Sequence, residues 1–158
     1  MEVLLMNRYE ALLDEVYSKG LYVKEKPLQS SDGRIKGNRI AIREDLETTA
    51  AKACVLAEEF GHYETTVGDI INISDSWHQK QEHQARLWAY NKQIGLHGLI
   101  QAYEHGCYTR HEIAEYLDVT EEFLQNAVDC YRDKYGTMHE IDNYVICFTP
   151  NLTITKVK

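Results

Sequence analysis

Apolar residues recur at mixed three- and four-residue steps from Glu2 to Ser18, at Val3, Leu4, Leu5, Leu12, Leu13, Val16 and Tyr17. That spacing predicts an amphipathic helix, closed by Gly20. Leu21-Tyr22-Val23 reads as a short strand. Ile35 and the run Arg39-Ile40-Ala41-Ile42 flank Gly37-Asn38, a composition that favours a tight turn between two antiparallel strands. Thr48 or Thr49 is placed to cap the next helix. Its body from Ala50 to Ala57 is alanine-rich and nearly uncharged, which predicts burial on several sides.

Beyond His62 the pattern weakens. Thr65-Thr66 followed by Gly68 makes poor helix and predicts a turn over Tyr63 to Asp69. Ser74 or Asp75 can cap a long helix running from Ser76 to about Gln93, interrupted by Gly95 and Gly98, and a shorter helix spans about Leu96 to Glu104. Thr109-Arg110-His111-Glu112 is a capping box that opens another short helix, and Thr120 caps a last one that ends at Gly136. Tyr144 to Phe148 and Leu152 to Val157 are β-rich. With no repeat or linker between these elements, the expectation is one α+β domain over residues 1–158, with a helical hairpin at 109–136 inside it.

Composition narrows the function classes. A chain of 158 residues can bury a real core without disulfides, and its net charge of −8 opposes binding to phosphates or anionic membranes unless a basic patch is segregated. No such patch stands out along the sequence. Cys54, Cys107, Cys130 and Cys147 form no C-x-x-C pair, and the apolar stretch at Met1 to Met6 is too short for a secretory segment. The expected compartment is therefore the reducing cytoplasm. No apolar run reaches membrane-spanning length.

The chemistry concentrates at Glu58-Glu59-Phe60-Gly61-His62, at the end of the alanine-rich helix. This reads as the metalloprotease signature H-E-x-x-H with its first histidine replaced by glutamate. Positions four apart share one helical face, so Glu58 and His62 can converge as metal ligands while Glu59 serves as general base. A further ligand must come from elsewhere. Glu82 is the first choice, because Ala85 and Ala89 on its face would let two helices pack closely around an ion; His78, four residues earlier, is the reserve.

A carboxylate in place of an imidazole lowers the net charge of the site by about one unit, which predicts weaker zinc retention and greater tolerance of manganese or iron. The competing structural reading is two solvated carboxylates and a histidine favoured by the negative end of the helix dipole. Cys54 reads as a small buried apolar residue, and His83, His97, His105, His111 and His139 as surface or hydrogen-bonded side chains.

The stretch from Cys54 to Ile70 resembles the ImmA/IrrE family of metallo-endopeptidases, in the branch found on phages and integrative elements of Gram-positive bacteria. The likeness extends to Lys36–Ile42, Lys80–Tyr90 and Glu112–Leu124, covering most of residues 33 to 136. It implies a zincin-like α+β fold, mostly helical with a small antiparallel sheet. It implies a divalent metal, zinc first, held by His62 and Glu82, with Glu59 activating the attacking water. It also implies a cytosolic peptidase that cleaves a helix-turn-helix repressor encoded beside it, switching on genes of the mobile element. Glu58 departs from the histidine of the better-known members.

Two other readings compete. The segment from Thr109 to Lys134 has helix-turn-helix spacing. Its acids, Glu112, Glu115, Asp118, Glu121, Glu122, Asp129 and Asp133, outnumber Arg110, Arg132 and Lys134, which argues against contact with nucleic acid. The other rival is a non-catalytic protein-binding regulator that keeps the fold.

Overall fold

Side-chain caps set where the helices begin. In the computed structural model, which describes residues 6–66 and 75–157, Asn7 accepts from the Glu10 amide at 2.8 Å and opens α1, Arg8–Ser18. The expected start at Glu2 is thus moved to Arg8, while Val3, Leu4 and Leu5 lie outside the described residues. Gly20, at φ +83°, turns the chain after α1 into β1, Tyr22–Lys26.

The hairpin expected around Gly37 is present. Strands β2, Gly33–Lys36, and β3, Arg39–Arg43, pair antiparallel with Ile35 opposite Ile40, and Gly37 occupies φ +61° in the turn. The sheet is mixed, however: β1 pairs parallel to β3, with Val23 opposite Ile40. The strand order β1-β3-β2 puts β3 in the middle, where Ile40 and Ile42 are buried and alternate with Arg39, Ala41 and Arg43.

Thr48, not Thr49, caps the next helix, its hydroxyl oxygen accepting from the Ala51 amide at 3.0 Å. This helix, α2, spans Thr49–Thr65 and buries Ala53, Cys54, Leu56, Ala57, Phe60 and Gly61. It runs past His62 rather than turning there. The Thr65 hydroxyl donates to the Gly61 carbonyl at 2.7 Å, which accommodates the polar β-branched residue in the last turn. The chain leaves the helix at Thr66, which is extended, and the rest of the expected turn, Val67 to Asp69, and the Ser74 cap lie outside the described residues. Helix α3 follows at Asp75–Gln93, with Ala85 and Ala89 fully buried.

The chain divides into two compact units, Met1–Ala89 and Tyr90–Lys158. The second holds α4 (Gly95–Glu104), α5 (Arg110–Leu117) and α6 (Glu121–Tyr135), followed by β4 (Met138–Ile141), β5 (Tyr144–Cys147) and β6 (Thr153–Lys156) in one antiparallel sheet. Thr109 and Thr120 cap α5 and α6, accepting from the amides of Glu112 and Phe123. Tyr131 is fully buried; its hydroxyl donates to Asn91 at 3.0 Å and accepts from the Gly95 amide at 3.2 Å. Burial and the tyrosines and cysteine around it hold that hydroxyl well above the ordinary tyrosine pKa, against the Gly95 amide, which lowers it.

Strand β4 was not legible from composition. It contains His139 and Glu140 and pairs with β5 through a turn in which Asp142 adopts φ +54°. None of the four cysteines is in a disulfide. Among the described residues no helix is long and apolar enough to cross a membrane.

Candidate metal centre

Two glycines decide how closely the elements of the first unit approach the acidic motif. A Cβ added at Gly61 would collide with the backbone carbonyl oxygen of Ala85 in α3 and lie 3.3 Å from Trp88 Cε3. The α2–α3 contact therefore depends on the bare Cα at Gly61 against the small residue Ala85. Phe60 and Trp88 seal it with an edge-to-face ring contact at 4.9 Å.

Close approach at Gly61 carries the next residue with it. His62 Nε2 lies 3.1 Å from Glu82 Oε2, so the two side chains expected to meet do meet, across α2 and α3. The other oxygen of Glu82 is 3.1 Å from Arg86 Nε, one turn further along α3. Both carboxylate oxygens of Glu82 are thus engaged, one by an imidazole and one by a guanidinium.

Glu59 occupies the side of α2 that faces the sheet. A Cβ at Gly33 of β2 would lie 3.0 Å from both Cγ and Oε1 of Glu59, so the carboxyl rests against the edge strand. Burial, and then the charges of Glu58 and Glu82, push the Glu59 pKa up to about 7. Glu58 is half-buried one turn before His62, near enough for its charge to act on Glu59. His78 is exposed, its ring set edge-on to Trp77 at 6.0 Å between centroids. Among the described residues, no three His, Cys, Asp or Glu side chains form a ready-made cluster for an ion; what is assembled is the pair His62–Glu82.

The profile of a peptidase family, the IrrE N-terminal-like domain, matches residues 17–129. The chain belongs to this family. No curated protein and no solved structure matches it. The family is one of zincin-like metallopeptidases, so the α+β architecture is zincin-like and a divalent metal is implied.

The donor chemistry of this IrrE N-terminal-like chain fits such an ion. An imidazole nitrogen and a carboxylate oxygen meet across two helices, and burial, followed by the charges of Glu58 and Glu82, drives Glu59 toward its neutral form. A cation would relieve that repulsion. Gly33, Gly61 and Arg86 are parts of the site that sequence reasoning missed. Gly61 carried a usable signal, since a glycine in a helix interior is costly without a packing reason. Gly33 and Arg86 carried none in isolation.

The raised Glu59 pKa has a stability consequence in the metal-free protein. Between about 4.5 and about 7 the folded state holds a proton that the unfolded chain has released, so stability falls as pH rises through that window. The contribution is on the order of 3 kcal/mol. Urea unfolding in chelator across this range should show the fall in the wild type and a flatter profile in Glu59→Gln; equal slopes would contradict it.

Gly61→Ala gives a test of sign. Alanine is the better helix former by about 1 kcal/mol, so an open position would be stabilised by the change. Because a Cβ here meets backbone, we expect a loss of about 1–3 kcal/mol by urea unfolding.

Proposed function

We propose that this chain is a metal-dependent endopeptidase that cleaves a helix-turn-helix repressor encoded beside it, and that cleavage switches on genes of a phage or other mobile element in the cytoplasm. The observation that carries the peptidase part is the contact of His62 with Glu82 at 3.1 Å, next to a carboxyl, Glu59, whose pKa is pushed up to about 7. A base near neutrality is well matched to taking and returning protons at working pH.

His62, Glu82 and Glu58 would hold the ion, zinc first, with manganese or iron favoured more than in a site with two histidines. When bound, the ion supplies Lewis-acid polarisation of the scissile carbonyl and of the attacking water. Glu59 takes a proton from that water and later delivers it to the leaving amine, so one carboxyl acts as base and then as acid. Among the described residues strand β2 is an edge of its sheet, and it lies against Glu59. An extended substrate segment paired along that edge would present its peptide bonds beside the carboxyl, which fits cleavage within a chain.

Co-expression with the neighbouring repressor tests this reading: a truncated repressor is expected with the wild type and an intact one with Glu59→Gln. Full-length repressor in both, with the metal bound, would refute the peptidase reading.

A second reading, a non-catalytic protein-binding regulator, is favoured by one observation. Arg86 occupies one oxygen of Glu82 while His62 occupies the other, which satisfies the carboxylate without an ion. On that reading Glu59→Gln leaves the biological effect intact. The excess of acids over bases between Arg110 and Tyr135 supports a protein partner rather than nucleic acid under either reading.

A further inference from the structure

Gly33 is the second residue at which a missing side chain shapes the site, and its reason differs from that of Gly61. The backbone of β2 is regular strand here, paired with Ile42 of β3, and does not need glycine's left-handed conformations. Gly33 opens β2 and is already paired in the ladder, where glycine costs conformational entropy and packs nothing, so its presence is consistent with a close approach of another group. That group is α2. A Cβ at Gly33 would lie 2.6 Å from Val55 Cγ1 and 3.0 Å from Cγ and Oε1 of Glu59.

We propose that Gly33 is a positioning residue for Glu59: the bare edge of β2 at this point is the floor on which the carboxyl rests. Val55 and Glu59 are one turn apart on the same face of α2, so a side chain at residue 33 would press on both. Val55 is β-branched and has little rotamer freedom to yield. The 2.6 Å contact with Val55 therefore forces β2 and α2 apart at this point, and the flexible end of Glu59, in the looser contact at 3.0 Å, is carried out of place with them. The carboxyl would then leave the edge where a substrate strand would lie, while His62 and Glu82, on the α3 side, keep their contact. The inference rests on Glu59 as the base of the proposed peptidase, but the placement of its carboxyl can be read without any activity.

The test compares the full-length wild type with Gly33→Ala, Val55→Ala and the double variant. Crystal structures of Gly33→Ala should show the Glu59 carboxyl displaced by about 1 Å or more, a misplacement able to cost on the order of 100-fold in rate. Zinc affinity, by chelator competition, should stay within about twofold, a small change on the tenfold-per-1.4 kcal/mol scale. On a repressor segment that the wild type cleaves, kcat should fall about 10–100-fold with KM nearly constant, the pattern of a lost transition-state interaction. Removing the valine methyls in the double variant should return the carboxyl and most of kcat.

Gly33→Ala with Glu59 in place and kcat unchanged overturns the proposal, as does parallel loss of zinc affinity. Failure of both Gly33→Ala and the double variant to fold also overturns it, since the glycine would then serve the strand itself. If the wild type cleaves nothing, the peptidase reading fails, yet the displacement of Glu59 and its recovery in the double variant still decide the role of Gly33.

Discussion

Replacing Glu59 by glutamine is expected to lower peptide cleavage by about 100- to 10,000-fold while the divalent ion stays bound. The change keeps the side chain's size and its place against Gly33, and removes only the ability to exchange a proton. It also removes a negative charge that interacts with those of Glu58 and Glu82, so metal retention should hold or fall only slightly. The measurement is kcat on a cleaved repressor segment beside metal analysis of the same preparation. Full activity in Glu59→Gln would assign the base to another residue. Loss of activity together with loss of the ion would make Glu59 a ligand instead.

The second large effect is a gain. Glu58→His restores the imidazole of the ordinary signature and is expected to tighten zinc binding by about tenfold or more, at least 1.4 kcal/mol. Imidazole is a ligand well suited to zinc, while carboxylate favours harder ions, so the preference for manganese over zinc should fall in the same variant. Competition titrations of zinc and manganese against wild type and Glu58→His read both. Unchanged affinities for the two ions would remove Glu58 from the coordination sphere and leave His62 and Glu82 as the protein's contribution.

Local signals carried far in this sequence. Thr48, Thr109 and Thr120 accept the amide hydrogen bonds expected of helix caps, and Gly37-Asn38 turns the hairpin between β2 and β3. The pairing of His62 with Glu82 was legible for a physical reason. The spacing of the motif fixed one face of α2, and Ala85 and Ala89 marked the face of α3 able to come close.

What escaped depends on neighbours far along the chain. Gly33 and Val55 are twenty-two residues apart, and no feature of either tells of the other. The parallel pairing of β1 with β3 is likewise set by tertiary packing. Strand β4 was hidden by His139 and Glu140, polar residues on a short edge strand whose pattern carries little apolar signal. The run of α2 beyond His62 rests on a local bond that composition does not show: the Thr65 hydroxyl donates back within the helix to the Gly61 carbonyl.

The claim beneath the peptidase reading is that His62 and Glu82 hold a divalent ion. Metal analysis of wild type, His62→Ala and Glu82→Gln after loading with zinc and exhaustive dialysis tests it most directly. About one equivalent in the wild type, with little in either variant, is the expected result for a site that needs both donors. Equal zinc content in all three proteins would contradict it.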